Sequence, residues 1–203
     1  PWTVETSRGG LRNLHFGARP LLESFYFYVA RRGLNQALLG FRSCRRETVD
    51  DAVVLSNETE RGTCELTVSP TDDAVDLRWT LRVEPIETGW GELGVYLPER
   101  VLNDGYPCDL TATLADGRTI ERTLSAENYP MEPLTDVSAL RFSDPRGSWK
   151  IALDGFDFPG AHGWHLQDFR DNANRPSVYR LVLSFSAEEG FDADLGMHVT
   201  RPR

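Results

Sequence analysis

Between Asp73 and Glu84 apolar and polar residues take strict turns, with Val75, Leu77, Trp79, Leu81 and Val83 set against Asp76, Arg78, Thr80 and Arg82. A period of two sends successive side chains to opposite faces, so the segment reads as a long strand with one face buried. Just upstream, Cys64, Leu66 and Val68 alternate with Glu65 and Thr67, and Ser69-Pro70-Thr71-Asp72 supplies turn residues. The pair therefore reads as an antiparallel hairpin. Ala52 to Leu55, bounded by Ser56-Asn57 and Arg61-Gly62, adds a third strand and makes a meander.

Downstream, Leu93, Val95 and Leu97 form a strand leaving a glycine and aromatic loop and ending at Pro98. Asp109 to Leu114 and Arg118 to Leu124 flank an Asp-Gly turn, and Leu140 to Ser143 and Ser148 to Leu153 flank Asp144-Pro145-Arg146-Gly147. Val178 to Ser186 alternates again, and Leu195 to Thr200 closes the sheet. Gly10 to Phe16, Leu21 to Val29 and Leu38 to Ser43 also read as extended, a helix being the alternative there; Gly33 and Gly40 limit any helix over Leu34 to Leu39. The expected total is roughly eleven to fourteen strands, more than an immunoglobulin-like unit needs. The fold class is all-β: a large antiparallel two-sheet sandwich with at most one or two short helices. With no repeat or linker dividing it, the chain is expected to be one domain over residues 1–203, processed or excised from a longer protein because it opens on Pro1.

Composition narrows the function classes. The 203 residues are 40% hydrophobic and 26% charged, as in a soluble globular chain, and no apolar run approaches the length of a membrane-spanning helix. A net charge of -9 repels phosphate backbones and anionic lipid, so neither nucleic acid nor membrane is an expected partner. A soluble protein is expected, with the cytoplasm favoured slightly and the compartment open. Cys44, Cys64 and Cys108 lack metal-finger spacing; one bridge, Cys44 to Cys64, stays open.

The candidate chemistry lies in expected loops. His162 and His165 are three residues apart and are the candidate acid/base groups; Gly160 and Gly163 argue for a loop, and packing or solvated histidines are the default over a metal clamp. Carboxylates and amides at Asp154 to Phe158 and Asp168 to Asn174 miss EF-hand spacing and read as turn residues. No metal and no cofactor are expected, and no nucleophile elbow, P-loop or dinucleotide fingerprint occurs. An exposed indole can stack on the apolar face of a pyranose while nearby polar groups bond its hydroxyls. Trp79 and Trp149 read as core, which leaves Trp90 and Trp164 open. The expected ligand site is therefore Trp90, Tyr106, Asp157, Trp164, Asp168 and Arg170, on the loops Glu87 to Gly91, Tyr106 to Cys108 and Pro159 to Asp171. Its acidic residues favour a neutral or cationic ligand, unless Arg100, Arg170 and Arg175 line it instead.

The order of features resembles the galactose-mutarotase-like β-supersandwich domain of carbohydrate-active proteins. The matching pieces are Gly10-Leu11-Arg12-Asn13-Leu14-His15-Phe16-Gly17, the aromatic strand after Leu21-Leu22, the meander of Val53 to Val83, Trp90-Gly91-Glu92-Leu93-Gly94-Val95-Tyr96-Leu97-Pro98, and the late strand Tyr179 to Phe185. Sugar-acid lactonases and several glycoside hydrolases carry a similar domain ahead of a catalytic barrel. The resemblance implies a sugar-related context: a non-catalytic module that binds carbohydrate or supports a catalytic domain. The alternatives are a sugar-active epimerase, lactonase or lyase using the loop histidines, and a protein assembly domain; a catalytic domain or a second copy is the implied protein partner. Epimerases of this class use a histidine pair and a glutamate, and here the strand after Trp90 has Tyr96 in place of histidine.

Overall fold

The alternating segments pair into two antiparallel sheets. In a computed structural model, residues 1–7, 10–33, 36–97, 107–125, 131–155, 157–168 and 179–203 are described. One sheet has seven strands, in the spatial order β1 (Trp2–Ser7), β2 (Gly10–Phe16), β3 (Arg19–Arg31), β9 (Gly89–Tyr96), β15 (Tyr179–Ser186) and β14 (Ala161–Asp168), with β4 (Ala37–Gly40) paired to β3. The other has nine: β11 (Thr119–Leu124), β10 (Cys108–Leu114), β12 (Val137–Asp144), β13 (Gly147–Asp154), β16 (Phe191–Thr200), β8 (Ala74–Val83), β7 (Gly62–Pro70), β6 (Ala52–Thr59) and β5 (Arg45–Val49). The helical content among the described residues is one 3-10 turn, Phe41–Ser43, and no helix there is long and apolar enough to cross a membrane. The two-sheet all-β sandwich read from the alternation is thus the observed architecture, with sixteen strands among the described residues in place of the smaller expected count.

The inward-facing rows meet between the sheets. Val75, Leu77, Trp79, Leu81, Val83, Leu93, Val95, Leu97, Leu181, Leu183 and Phe185 are all at most 3% exposed, while Asp76, Arg78, Thr80 and Arg82 face solvent. Burying each large apolar side chain contributes about 1.5–3 kcal/mol, so these positions dominate the fold's stability.

One expected loop is a strand. His162-Gly163-Trp164-His165 lies in β14, at the edge of the seven-stranded sheet, where the register to β15 shifts between Ala161 and Trp164. Gly163 sits in that bulge at φ 75°, a conformation open to glycine, and a Cβ there would come 2.7 Å from Asp136 Oδ1. The glycine that argued for a loop therefore marks a strand irregularity.

A partly buried charge cluster ties the sheets together. Asp144, at the end of β12, has a side chain only 3% exposed and meets Arg19 Nη2 of β3 at 2.9 Å and Arg146 Nη2 at 2.8 Å. Burial alone would raise its pKa, but hydrogen bonds from the Arg146 side chain and backbone and the charge of Arg19 outweigh it and hold the carboxyl below its usual range. A depressed carboxyl contributes stability that is full above its unfolded value of about 3.9 and is lost as pH falls through the lower folded value. Asp144→Ala should cost about 2–4 kcal/mol at neutral pH, because two guanidinium groups are left facing each other, and the gap to wild type should narrow in strong acid, where the carboxyl is protonated in both states. Urea unfolding at the two pH values measures it; a gap independent of pH would refute the assignment.

All three cysteines are free thiols, so the Cys44 to Cys64 bridge is not formed. Burial pushes Cys64 up to about 12 and Cys108 up to about 11, and raises the half-buried Cys44 as well. Thiolate is the reactive form, so at pH 8 an aromatic disulfide reagent should label Cys44 slowly and the other two only after unfolding. Rapid labelling of all three thiols in the native protein would contradict this packing.

Candidate functional site

The seven-stranded sheet carries an unusual outer face. On β3, Phe25, Phe27 and Val29 point into the core, so Tyr26 and Tyr28 point out; on β9, Leu93 and Val95 point in, so Trp90, Glu92, Gly94 and Tyr96 point out. Pairing brings these rows together: Tyr26 lies opposite Gly94, Tyr28 opposite Glu92, and Arg180 of β15 opposite Tyr96 and Gln167. None of the outward side chains is fully exposed, and Val182, facing the same way, is 0% exposed although it lies outside the main core cluster. The centre of this face is therefore half-sheltered.

At its middle, Arg180 Nη1 donates to Glu92 Oε2 at 3.1 Å and Arg180 Nη2 to Gln167 Oε1 at 2.8 Å. The two charged side chains are only 14% and 15% exposed, so each depends on the other for compensation. Around them Tyr26 stacks near Tyr28 with centroids 6.3 Å apart, Tyr96 approaches Tyr26 at 5.7 Å, and Trp90 meets Tyr28 edge-on at 5.4 Å. Burial raises the pKa of both Tyr26 and Tyr28, reinforced at Tyr28 by the adjoining Glu92 carboxylate and opposed by Arg180. Both phenols stay protonated at physiological pH and keep an O–H to donate. The Tyr26 hydroxyl is buried against the Arg180 guanidinium, whose charge and hydrogen bonding oppose the effect of burial.

Two backbone features place this cluster. Ser24, at φ 49°, sits in a bulge where β3 shifts register against β9 between Glu23 and Tyr26. The shift carries the strand across the irregularity so that Tyr26 and Tyr28 share the outer face. Gly94 leaves room for the Tyr26 ring: a Cβ there would come 2.6 Å from Tyr26 Oη and 2.9 Å from the Leu181 carbonyl. Gly94→Ala should therefore displace Tyr26, cost about 1–3 kcal/mol and weaken any ligand held on this face. Thermal unfolding and tyrosine resonances in NMR spectra measure both effects.

The residues singled out from sequence are dispersed. Trp90 is on the aromatic face, and His165, opposite Val182, is on the same side. Trp164 is 0% exposed in the core, so it offers no open ring face to a ligand and leaves the expected loop-tip site. The alternation explains it: on a strand, Trp164 and Leu166 point in and His165 and Gln167 point out. Asp168, at the end of β14, accepts the Met131 N–H at 3.1 Å. Asp157 and His162 are exposed near the other end of β14, about 20 Å away along the strand. Tyr106 and Arg170 lie outside the described residues. Among the described residues no three histidine, cysteine or carboxylate side chains gather into a metal-binding group.

Sequence reasoning missed Tyr26, Tyr28, Gln167 and Arg180, and noted Glu92 only as one of the acidic residues near the expected site and Tyr96 only as standing in place of a histidine. One signal was present: a strand aromatic on both faces, Phe25 and Phe27 against Tyr26 and Tyr28, needs shelter on both sides.

No protein-family model matches the sequence, and no curated protein does. Solved structures do. A galactose mutarotase-like protein from Lactobacillus casei ATCC 334 superposes with a TM-score of 0.60 at 11% identity, over 98% of this chain and 97% of that one. The chain has the galactose mutarotase-like fold. An Escherichia coli K12 protein whose assignment as an aldose 1-epimerase is provisional gives 0.56 at 11% identity, covering 98% and 99% of the two chains. A Synechocystis sp. PCC 6803 protein gives 0.53 at 10% identity, covering 98% and 91%. Identity this low carries the galactose mutarotase-like architecture and no residue roles.

Proposed function

We propose that the outer face of the seven-stranded sheet binds a neutral sugar, and that the protein is a non-catalytic carbohydrate-binding or supporting module. The observation that carries this reading is the half-buried Glu92–Arg180 pair walled by Tyr26, Tyr28, Tyr96 and Trp90. A pair that neutralises itself offers fixed donors and acceptors without net charge, which suits hydroxyl groups, and the aromatic rings suit the apolar faces of a pyranose. The fold is consistent with that, since the similar structures include a galactose mutarotase-like protein.

A sugar epimerase is the rival, favoured by one observation: His165 and Glu92 share a face, two strands apart. Against it, Glu92 is already engaged by Arg180, which makes it a weaker candidate for a base than for a binding group. Calorimetric titration with neutral mono- and oligosaccharides, in parallel with polarimetry on freshly dissolved α-glucose and α-galactose, separates the two. Binding that weakens at least about 10-fold in Trp90→Ala, with no acceleration of mutarotation, supports the module. Acceleration lost in His165→Ala would favour the epimerase, and the absence of any sugar binding would overturn both.

A further inference from the structure

The opposite side of the molecule carries a second feature, on the outer face of the nine-stranded sheet. Arg141 of β12 and Lys150 of β13 stand directly opposite each other, both exposed, and among the described residues neither has a carboxylate partner. Lys150 is the one lysine in the chain. Like charges facing across a strand pair destabilise a sheet, so their placement invites an anion. They overhang an open trough of about 730 Å³ whose floor is short side chains such as Ala139 and Thr113. Arg201 and Arg203 reach the same trough, and its lining contains a single carboxylate, Asp73, which Arg201 Nη2 contacts at 2.8 Å. Four cations thus line the trough beside one carboxylate, which Arg201 contacts and Arg203 Nη2 approaches at 3.9 Å, in a protein whose net charge is -9.

We propose that this trough is a second saccharide site, selective for a short acidic chain whose carboxylates pair with Arg141 and Lys150. The cations extend from β12 across β13 to the end of β16, about 10 Å, which suits anionic groups repeated along a chain better than one compact oxyanion. Thr111, Thr113 and Ser148 add hydroxyls that match a sugar's own. The chain's overall negative field works against a long polyanion such as nucleic acid and leaves a short acidic saccharide as the complementary occupant. This site is independent of the aromatic face, and either can fail alone.

The test titrates the full chain calorimetrically with trigalacturonate, its methyl ester, tripolyphosphate and inorganic sulfate, at about 20 mM and about 150 mM salt. Trigalacturonate should bind, at least about 10-fold more tightly than the uncharged ester, and should weaken as salt rises. Arg141→Gln and Lys150→Gln should each reduce its affinity about 5- to 10-fold while leaving the thermal midpoint unchanged or slightly higher, since each removes a repulsion. Trp90→Ala should leave this affinity unchanged. Equal affinity for the ester, no effect of either substitution, or tripolyphosphate or sulfate binding as tightly as trigalacturonate would each overturn the proposal. Loss of neutral-sugar binding in Trp90→Ala bears only on the aromatic face.

Discussion

Trp164→Ala should destabilise the protein by about 3–5 kcal/mol, the range for deleting a buried indole, and lower the thermal midpoint by roughly 10 °C. The ring is fully buried at the edge of the seven-stranded sheet, so its loss leaves a cavity that the neighbouring strands fill only in part. Trp164→Phe should cost much less: its Nε1 is buried without a hydrogen-bond partner, so phenylalanine loses volume but also removes an unsatisfied donor. At temperatures where both variants remain folded, neutral-sugar affinity should be unaffected, in contrast to Trp90→Ala. Equilibrium urea unfolding and titration of the same samples decide it. A well-folded Trp164→Ala protein that has lost sugar binding would move the site to β14.

Arg180→Met should remove sugar binding and cost about 2–4 kcal/mol, because the Glu92 carboxylate loses its cation while only 15% exposed. Gln167 loses its donor in the same step. The double change Glu92→Gln/Arg180→Met should recover most of the stability, since a neutral pair needs no compensating charge, yet binding should remain absent. That divergence separates a positioning pair from a merely structural one. If the double variant binds sugar as wild type does, the pair is dispensable and the reading of this face is wrong. Comparing folding free energies and sugar affinities of the single and double variants in one cycle gives the coupling directly.

How legible the molecule was depends on the kind of strand. β8 and β7, half-buried in the middle of the nine-stranded sheet, announce themselves by alternation, and the apolar residues of that pattern, from Cys64, Leu66 and Val68 to Val75, Leu77, Trp79, Leu81 and Val83, are all buried. β1, β5 and β14, all at sheet edges, passed unnoticed for want of a turn signal or an unbroken period, whereas the edge strand β11 was read from the Asp-Gly turn that joins it to β10. The sequence of β5, Arg45-Arg46-Glu47-Thr48-Val49, is exposed throughout, and one row of its hydrogen bonds is enough to hold it against β6 without any apolar period. In β14 a bulge breaks the period at the point where the two histidines drew attention to a loop.

What the sequence determined by itself is the fold class, most of the strands and the buried face of each, because a period of two in burial is local information that any five or six residues reveal. The candidate sites needed the tertiary structure. Glu92 and Arg180 are 88 residues apart and meet only because β9 and β15 are neighbours in the sheet. Arg141 and Lys150 are close in sequence, but their isolation from carboxylates depends on what β10 and β16 bring alongside. Outward positions on a strand look alike in sequence whether they meet water or a ring of tyrosines, and only strand order and register, set by long-range pairing and by bulges such as that at Ser24, decide which they meet.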